Sequence, residues 1–110
     1  MFSAKLKCVR ISPKKAYYIV KKVVGLKFSY AVQLLEFSNK KFAHILSKAL
    51  QSCVNVSFKK KNVNLADLII GNIYVTNGPM LKKYIYKARG CVSRLLKRTT
   101  HVTMVVIKKR

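Results

Sequence analysis

From Pro79 to Arg98 the chain reads PMLKKYIYKARGCVSRLLKR, with seven Lys or Arg and no acidic residue. The turn signal Asn77-Gly78-Pro79 precedes this run, and a β-branched strand follows it. If both halves are extended, each limb of about ten residues at ~3.3 Å per residue reaches roughly 30 Å. That exceeds the radius of a domain of this size. A lone two-stranded ribbon is marginal in water, and a cationic one also repels itself. The expected fold is therefore a body with a projecting basic β-hairpin at about 78–100, and the hairpin needs a polyanion to lie against.

The whole chain shares this imbalance. Its 110 residues carry 24 Lys or Arg against 2 Asp or Glu, a formal charge of +22. Hydrophobic residues make up 51%, so the chain is built to fold and is not a disordered basic tail. Its length predicts a single domain, residues 1–110. Self-repulsion on this scale destabilises a compact state unless counter-charge is supplied. The candidate sources are nucleic acid, anionic membrane and acidic protein. Membrane is the weakest, because the longest apolar stretches, Leu65 to Val75 and Val102 to Ile107, fall short of the ~18–20 residues a spanning helix needs. The opening MFSAKLKCVRIS has neither an extended apolar region nor a Ser/Arg-rich leader, so synthesis in the working compartment is expected. Cys8, Cys53 and Cys91 are odd in number and scattered, which argues against a disulfide framework or zinc site and for a reducing interior. Lys exceeds Arg, and Asn, Ile, Tyr and Phe are frequent, a composition that fits an A/T-rich genome.

Along the chain, residues 4–11 alternate loosely and shift phase towards Val9 and Ile11, which predicts an edge strand. Ser12-Pro13 predicts a helix start, with Ser as N-cap and Pro at the first helical position. Ala16, Ile19, Val20, Val23 and Val24 form its apolar stripe, and Gly25 stops it in a left-handed conformation. Ser29 is expected to cap a second helix carrying Ala31, Val32, Leu34 and Leu35. Asn39 is expected to cap a third, with Phe42, Ile45, Leu46, Ala49, Cys53 and Val56 inward. Lys40, Lys41, His44, Lys48 and Gln51 face outward, and the helix ends near Lys59-Lys60-Lys61-Asn62. Beyond Asp67 the pattern is β. Leu68 to Thr76 has Gly71 as a bulge or close-approach point, and His101 to Ile107 alternates. The two strands are expected to continue the limbs of the arm as one long hairpin. The predicted class is α+β: three helices packed on a small antiparallel sheet with a long protruding basic hairpin.

Few residues suit catalysis. Glu36 and Asp67 are the only carboxylates and lie far apart in sequence, so paired acid/base or metal-assisted phosphoryl chemistry lacks its groups. His44 and His101 have no ligand spacing to each other or to a Cys. His44 reads as a polar-face residue, and His101 as either a turn residue or a polyanion contact. Cys91 has no neighbouring base. No cofactor motif is present, and neither a catalytic nor a metal site is expected. Lys21, Lys22 and Lys48 read as solvated helix surface. In the arm, by contrast, cations interleave with Leu81, Tyr84, Ile85 and Tyr86, groups suited to stacking on bases or filling grooves.

Two segments carry a family resemblance. VRISPKKA (Val9 to Ala16) and GPMLKKYIYKARGCVSRLLKRTTHVTMVV (Gly78 to Val106) resemble the signatures of the large-subunit ribosomal protein twenty-two family, bacterial and organellar type. Order and spacing agree over nearly the whole chain. The resemblance implies a non-enzymatic structural constituent of the large subunit that binds 23S-type rRNA and ties several rRNA domains together. It implies rRNA contacts at Lys14, Lys15, Lys82, Lys83, Lys87, Arg89, Arg94, Lys97, Arg98, Thr99 and His101. Lys87, Ala88, Arg89, Gly90, Cys91 and Val92 match the tip that lines the polypeptide exit tunnel in that family. The implied partners are large-subunit rRNA, neighbouring large-subunit proteins and the nascent polypeptide, with the protein monomeric in the ribosome and no membrane or DNA involved. This sequence departs at Tyr86 (commonly Pro), Cys91 (usually basic), Ser93 (frequently Asp) and Val54-Asn55-Val56-Ser57 (usually Ala-Asn-Ala), which leaves the charge of the tip open. Composition points to an organelle-encoded plastid (chloroplast) copy, with bacterial cytoplasm and mitochondrion as alternatives. The competing class is a DNA-architectural, histone-like protein with basic β-arms, although those arms usually carry an apolar wedge at the tip.

Overall fold

The computed structural model describes residues 2–60 and 63–108. In chain order the elements are β1 (Phe2–Val9), α1 (Pro13–Val23), α2 (Phe28–Glu36), α3 (Lys41–Lys60), a 3-10 turn (Leu65–Asp67), β2 (Leu68–Asn77), β3 (Leu81–Tyr86), β4 (Val92–Lys97) and β5 (Thr100–Lys108). A further 3-10 turn, Ala88–Gly90, joins β3 to β4. The class is α+β as expected: three helices cover one face of an antiparallel sheet ordered β1-β5-β2, and β3-β4 form a separate ribbon.

Period-2 alternation in β5 organises the sheet. Thr100, Val102, Met104 and Val106 are buried, while His101, Thr103 and Val105 sit half-buried on the opposite face. Directly paired residues share a face. Leu6, Ala4 and Phe2 of β1, and Val75, Ile73 and Ile70 of β2, therefore line up beside these buried positions. Two irregularities interrupt the ladders. The register of β1 shifts between Leu6 and Val9, where Cys8 adopts φ 58, matching the phase change in the sequence. The register of β2 shifts between Ile70 and Asn72, leaving Gly71 as the extra residue. A Cβ at Gly71 would lie 3.3 Å from the Val105 carbonyl oxygen, so this is the close approach expected of that glycine.

On α1 the expected stripe of Ala16, Ile19, Val20 and Val23 is buried. Ser12 precedes the helix, but its hydroxyl makes no capping bond; its carbonyl accepts from the Ala16 N–H. Val24 falls beyond the helix end and is exposed. Gly25, at φ +86, turns the chain back onto β2: its N–H donates to Ile70 (2.9 Å), and the Ile70 N–H donates to Leu26 (3.0 Å). That pairing shields part of an otherwise open sheet edge.

The other two helix starts differ from expectation. α2 begins at Phe28, with Lys27 rather than Ser29 at the cap, because the Phe28 side chain is drawn into the core and Lys27 bridges to Ile69. α3 begins at Lys41, preceded by a turn in which the Ser38 hydroxyl accepts from the Lys40 N–H. Its buried face is wider than one stripe, because α3 packs against α1, α2 and β1 together. Ala43, Leu50 and Val54 join Phe42, Leu46, Ala49 and Cys53 inside, Ile45 is half-buried, and Val56 is exposed rather than inward. Lys61 and Asn62 of the expected terminal cluster lie outside the described residues. Among the described residues, no helix is long and apolar enough to cross a membrane.

Phe42, Leu35, Leu46, Leu50, Leu68, Ile70 and Met104 are almost fully buried, each contributing roughly 1.5–3 kcal/mol of apolar burial. Cys53 lies in this core, and burial pushes its thiol pKa up, whereas Cys8 and Cys91 are exposed. A thiol-disulfide reagent at neutral pH should modify Cys8 and Cys91 promptly and Cys53 only on unfolding. The accessible thiols should rise from two to three across the urea transition; three prompt thiols in native buffer would contradict this core.

Candidate nucleic-acid interface

β3 and β4 pair over six residues each, shorter limbs than the ten expected. Leu81, Lys83, Ile85, Ser93, Leu95 and Lys97 share one face of the ribbon, while Lys82, Tyr84, Tyr86, Val92, Arg94 and Leu96 share the other. Each face thus carries two cations and several apolar side chains. Opposite every cation stands an uncharged residue: Lys82 faces Leu96, Lys83 faces Leu95, Arg94 faces Tyr84, and Lys97 faces Leu81. Like charges directly opposite would destabilise the pair. This register keeps them on diagonals, about 7–8 Å apart. All of β3 is exposed, with Tyr86 at 83%. Among the described residues, no helix or other strand forms a layer against either face. The radius of gyration is accordingly 17.3 Å, against about 13 Å for a compact chain of this size, and the long axis is 64 Å.

At the tip, Lys87, Ala88, Arg89, Gly90, Cys91 and Val92 are all exposed. The Cys91 N–H reaches the Ala88 carbonyl (3.4 Å), and both residues between them have positive φ, Arg89 at 62 and Gly90 at 73. Gly90 takes this conformation freely. Arg89 does so at a cost of about 1–2 kcal/mol, so the apex holds a cation where a hairpin would favour Asn or Gly.

At the arm's root the structure departs most from expectation. Arm and sheet are not one uninterrupted hairpin. The ladder from Asn77↔Thr100 does not run directly into Leu81↔Lys97, because Gly78, Pro79 and Met80 oppose only Arg98 and Thr99. Pro79 has no N–H to donate. One backbone bond and several side chains close the gap instead. The Gly78 N–H donates to the Thr99 carbonyl (3.0 Å), and the Thr99 hydroxyl donates to the Pro79 carbonyl. The Arg10 guanidinium donates to the Arg98 carbonyl (3.1 Å), and the Thr100 hydroxyl donates to the Ile11 carbonyl. His101 Nδ1 accepts from the Cys8 N–H (3.1 Å), which holds the β1 bulge and requires that nitrogen to be unprotonated.

Of the residues expected to face rRNA, Thr99 is therefore turned inward, at 6% exposure, and His101 is half-buried with one ring nitrogen engaged. Arg98 is exposed and Lys97 half-buried, while Lys82, Lys83, Lys87, Arg89 and Arg94 stand exposed on the arm. Lys14 and Lys15 are exposed on the body, in the first turn of α1. Folding brings them to a groove of about 640 Å³ that Arg10, Lys40 and Lys41 also line. Arg10, Lys40 and Lys41 are not among the residues that the sequence points to as sites. Nothing in the local sequence marks them, because α2 must fold back before the two segments meet.

The remaining surface is not uniformly basic. Residues 28–39 and 62–81 contain no Lys or Arg, and they hold both carboxylates, Glu36 and Asp67. The Glu36 carboxylate accepts from the Gln51 amide (3.4 Å). Among the described residues, no cluster of His, Cys, Asp and Glu has the make-up of a metal site.

A sequence model of the family Ribosomal protein L22p/L17e matches residues 4–107. The chain belongs to this family. It is accordingly an rRNA-binding protein of the large ribosomal subunit, in a family of structural ribosomal proteins, and its place is the ribosome.

Gly78 gives the sharpest test of the root in this family member. A Cβ there would lie 2.5 Å from the Thr99 hydroxyl oxygen and 3.3 Å from His101 Cε1. Gly78→Ala should destabilise the protein by about 1–3 kcal/mol, as overpacking does, measured by urea unfolding. An unchanged midpoint would show that the root is not packed as described.

Proposed function

We propose that this protein embeds its β3-β4 arm in 23S-type rRNA, links several rRNA domains through arm and body, and carries its tip to the wall of the polypeptide exit tunnel. The observation that carries this reading is the ribbon's two-sidedness. Cations and apolar side chains alternate on both faces, so a partner on one side alone leaves half of them unmatched. Folded RNA can surround a ribbon, offering phosphates to the Lys and Arg residues and base faces to Tyr84 and Tyr86. Membership of a ribosomal family favours RNA over duplex DNA as that polyanion.

In this proposal Lys82, Lys83, Arg94, Lys97 and Arg98 neutralise phosphates along the limbs, and Lys14 and Lys15 do so on the body. Thr99 and His101 act indirectly, by fixing the arm's angle at its root. Lys87, Ala88, Arg89, Gly90, Cys91 and Val92 face the nascent polypeptide. The strained backbone at Arg89 supports a working role for that cation, since such conformations cluster at functional positions. The chain acts as one unit and as a single copy among neighbouring large-subunit proteins. The A/T-type composition supports a plastid ribosome as its home.

Counterion release makes binding to isolated rRNA steeply salt-dependent. Replacing one arm cation, as in Lys83→Gln, should lower the salt slope by roughly 1; an unchanged slope would remove that residue from the phosphate contacts. Hydrogen exchange tests the embedding itself. Amides 80–96 should exchange rapidly in the free protein and be protected in the assembled ribosome. Equal protection in both states would refute it.

A further inference from the structure

The groove on the body has more in it than charge. It is lined by the cations Lys14, Lys15, Lys40, Lys41 and Arg10 together with Ile11, Ile19, Tyr18 and Asn39. Among the described residues no carboxylate lines it. Tyr18, with Ile19 and Lys40, also lines a second depression of about 220 Å³ that includes Leu34 and Ser38. Tyr18 is 57% exposed, and Lys22 Nζ lies 4.5 Å from its centroid, which steadies the ring without hiding it.

We infer that this groove binds an unpaired nucleotide of the RNA, with the phosphates on Lys14, Lys15, Lys40 and Lys41 and the base stacked on Tyr18. A duplex is the wrong shape, since its phosphate ridges would meet the cations and leave the apolar lining empty. A single strand presents phosphate and base to one groove at once, and aromatic stacking suits any base. The size supports this, because about 640 Å³ falls within the range of sites that take small molecules or single cofactors. The inference rests on the rRNA-binding reading above and adds to it which form of RNA the body holds.

The test uses the full chain, a single-stranded oligoadenylate and a blunt RNA duplex. Tyr18→Ala should weaken single-strand binding roughly ten-fold, the order of one stacked base, and leave duplex binding and the salt slope unchanged. Tyr18→Phe should bind as the parent does, and Tyr17→Ala should have no effect. Because Tyr18 is exposed, these variants should keep the parent's urea midpoint. Ultraviolet cross-linking of assembled ribosomes should join the tryptic peptide Ala16–Lys21 to rRNA. Equal loss on both probes, no loss on either, or a cross-link to protein instead of rRNA would each overturn the inference. Failure of the parent chain to bind rRNA at all would instead sink the proposed function.

Discussion

A cationic ribbon without a core of its own depends on how it is anchored, and the bonds gathered at Arg98 to His101 are that anchor. The buried face of the sheet ends at Thr99 and Thr100. Beyond it the arm has only its own ladder. Pro79 interrupts that ladder, and the interruption is closed by the Thr99 hydroxyl, the Gly78 N–H and the Arg10 guanidinium. Each such bond contributes about 0.5–1.5 kcal/mol. Their value lies in direction, since they join the arm's root at once to β1, to the turn before α1 and to β2. Thr99 and His101 also fit closely around Gly78, where even a methyl group has no room.

From that anchor outward, electrostatics governs the design. Removing every cation from 28–39 and 62–81 leaves the α2 and β2 region free of Lys and Arg, and all 24 cations are spread over the rest of the chain. Within the arm the register sets each cation against an uncharged partner, so the ribbon can pair despite its charge. The body can afford its own basic surface because the helices turn their apolar stripes inward over a one-sided sheet. The body groove and the arm therefore solve the same problem in different ways. The groove holds its cations beside apolar side chains; the arm holds them on both faces of a two-residue-thick blade.

Local chemistry made much of this fold legible. Pro13 at a helix start, Gly25 beyond a helix end, Gly71 at a bulge and Gly90 in a turn all sit where their backbone freedom or restriction suits them. The alternation in β5 and the stripe of α1 each follow from one period and one buried face. Expectations failed where several partners compete. Ser12 stands at the N-cap of α1 without a hydroxyl bond, and Ser29 falls inside α2, whose entry is set by Phe28 in the core and Lys27 bridging to the sheet. Val56 faces outward because the buried sector of α3 is set by three neighbours and turns with them.

The amino-acid order alone determined the class of fold, the existence of a basic arm and the need for a polyanion, because periodicity and net charge are sums over neighbouring residues. Tertiary structure alone decided that Thr99 faces inward and that His101 holds the β1 bulge. It also decided that Lys14, Lys15, Lys40 and Lys41 line one groove with Tyr18. Those roles depend on segments distant in sequence meeting in space, and no local pattern encodes which side chain a remote carbonyl or amide will find.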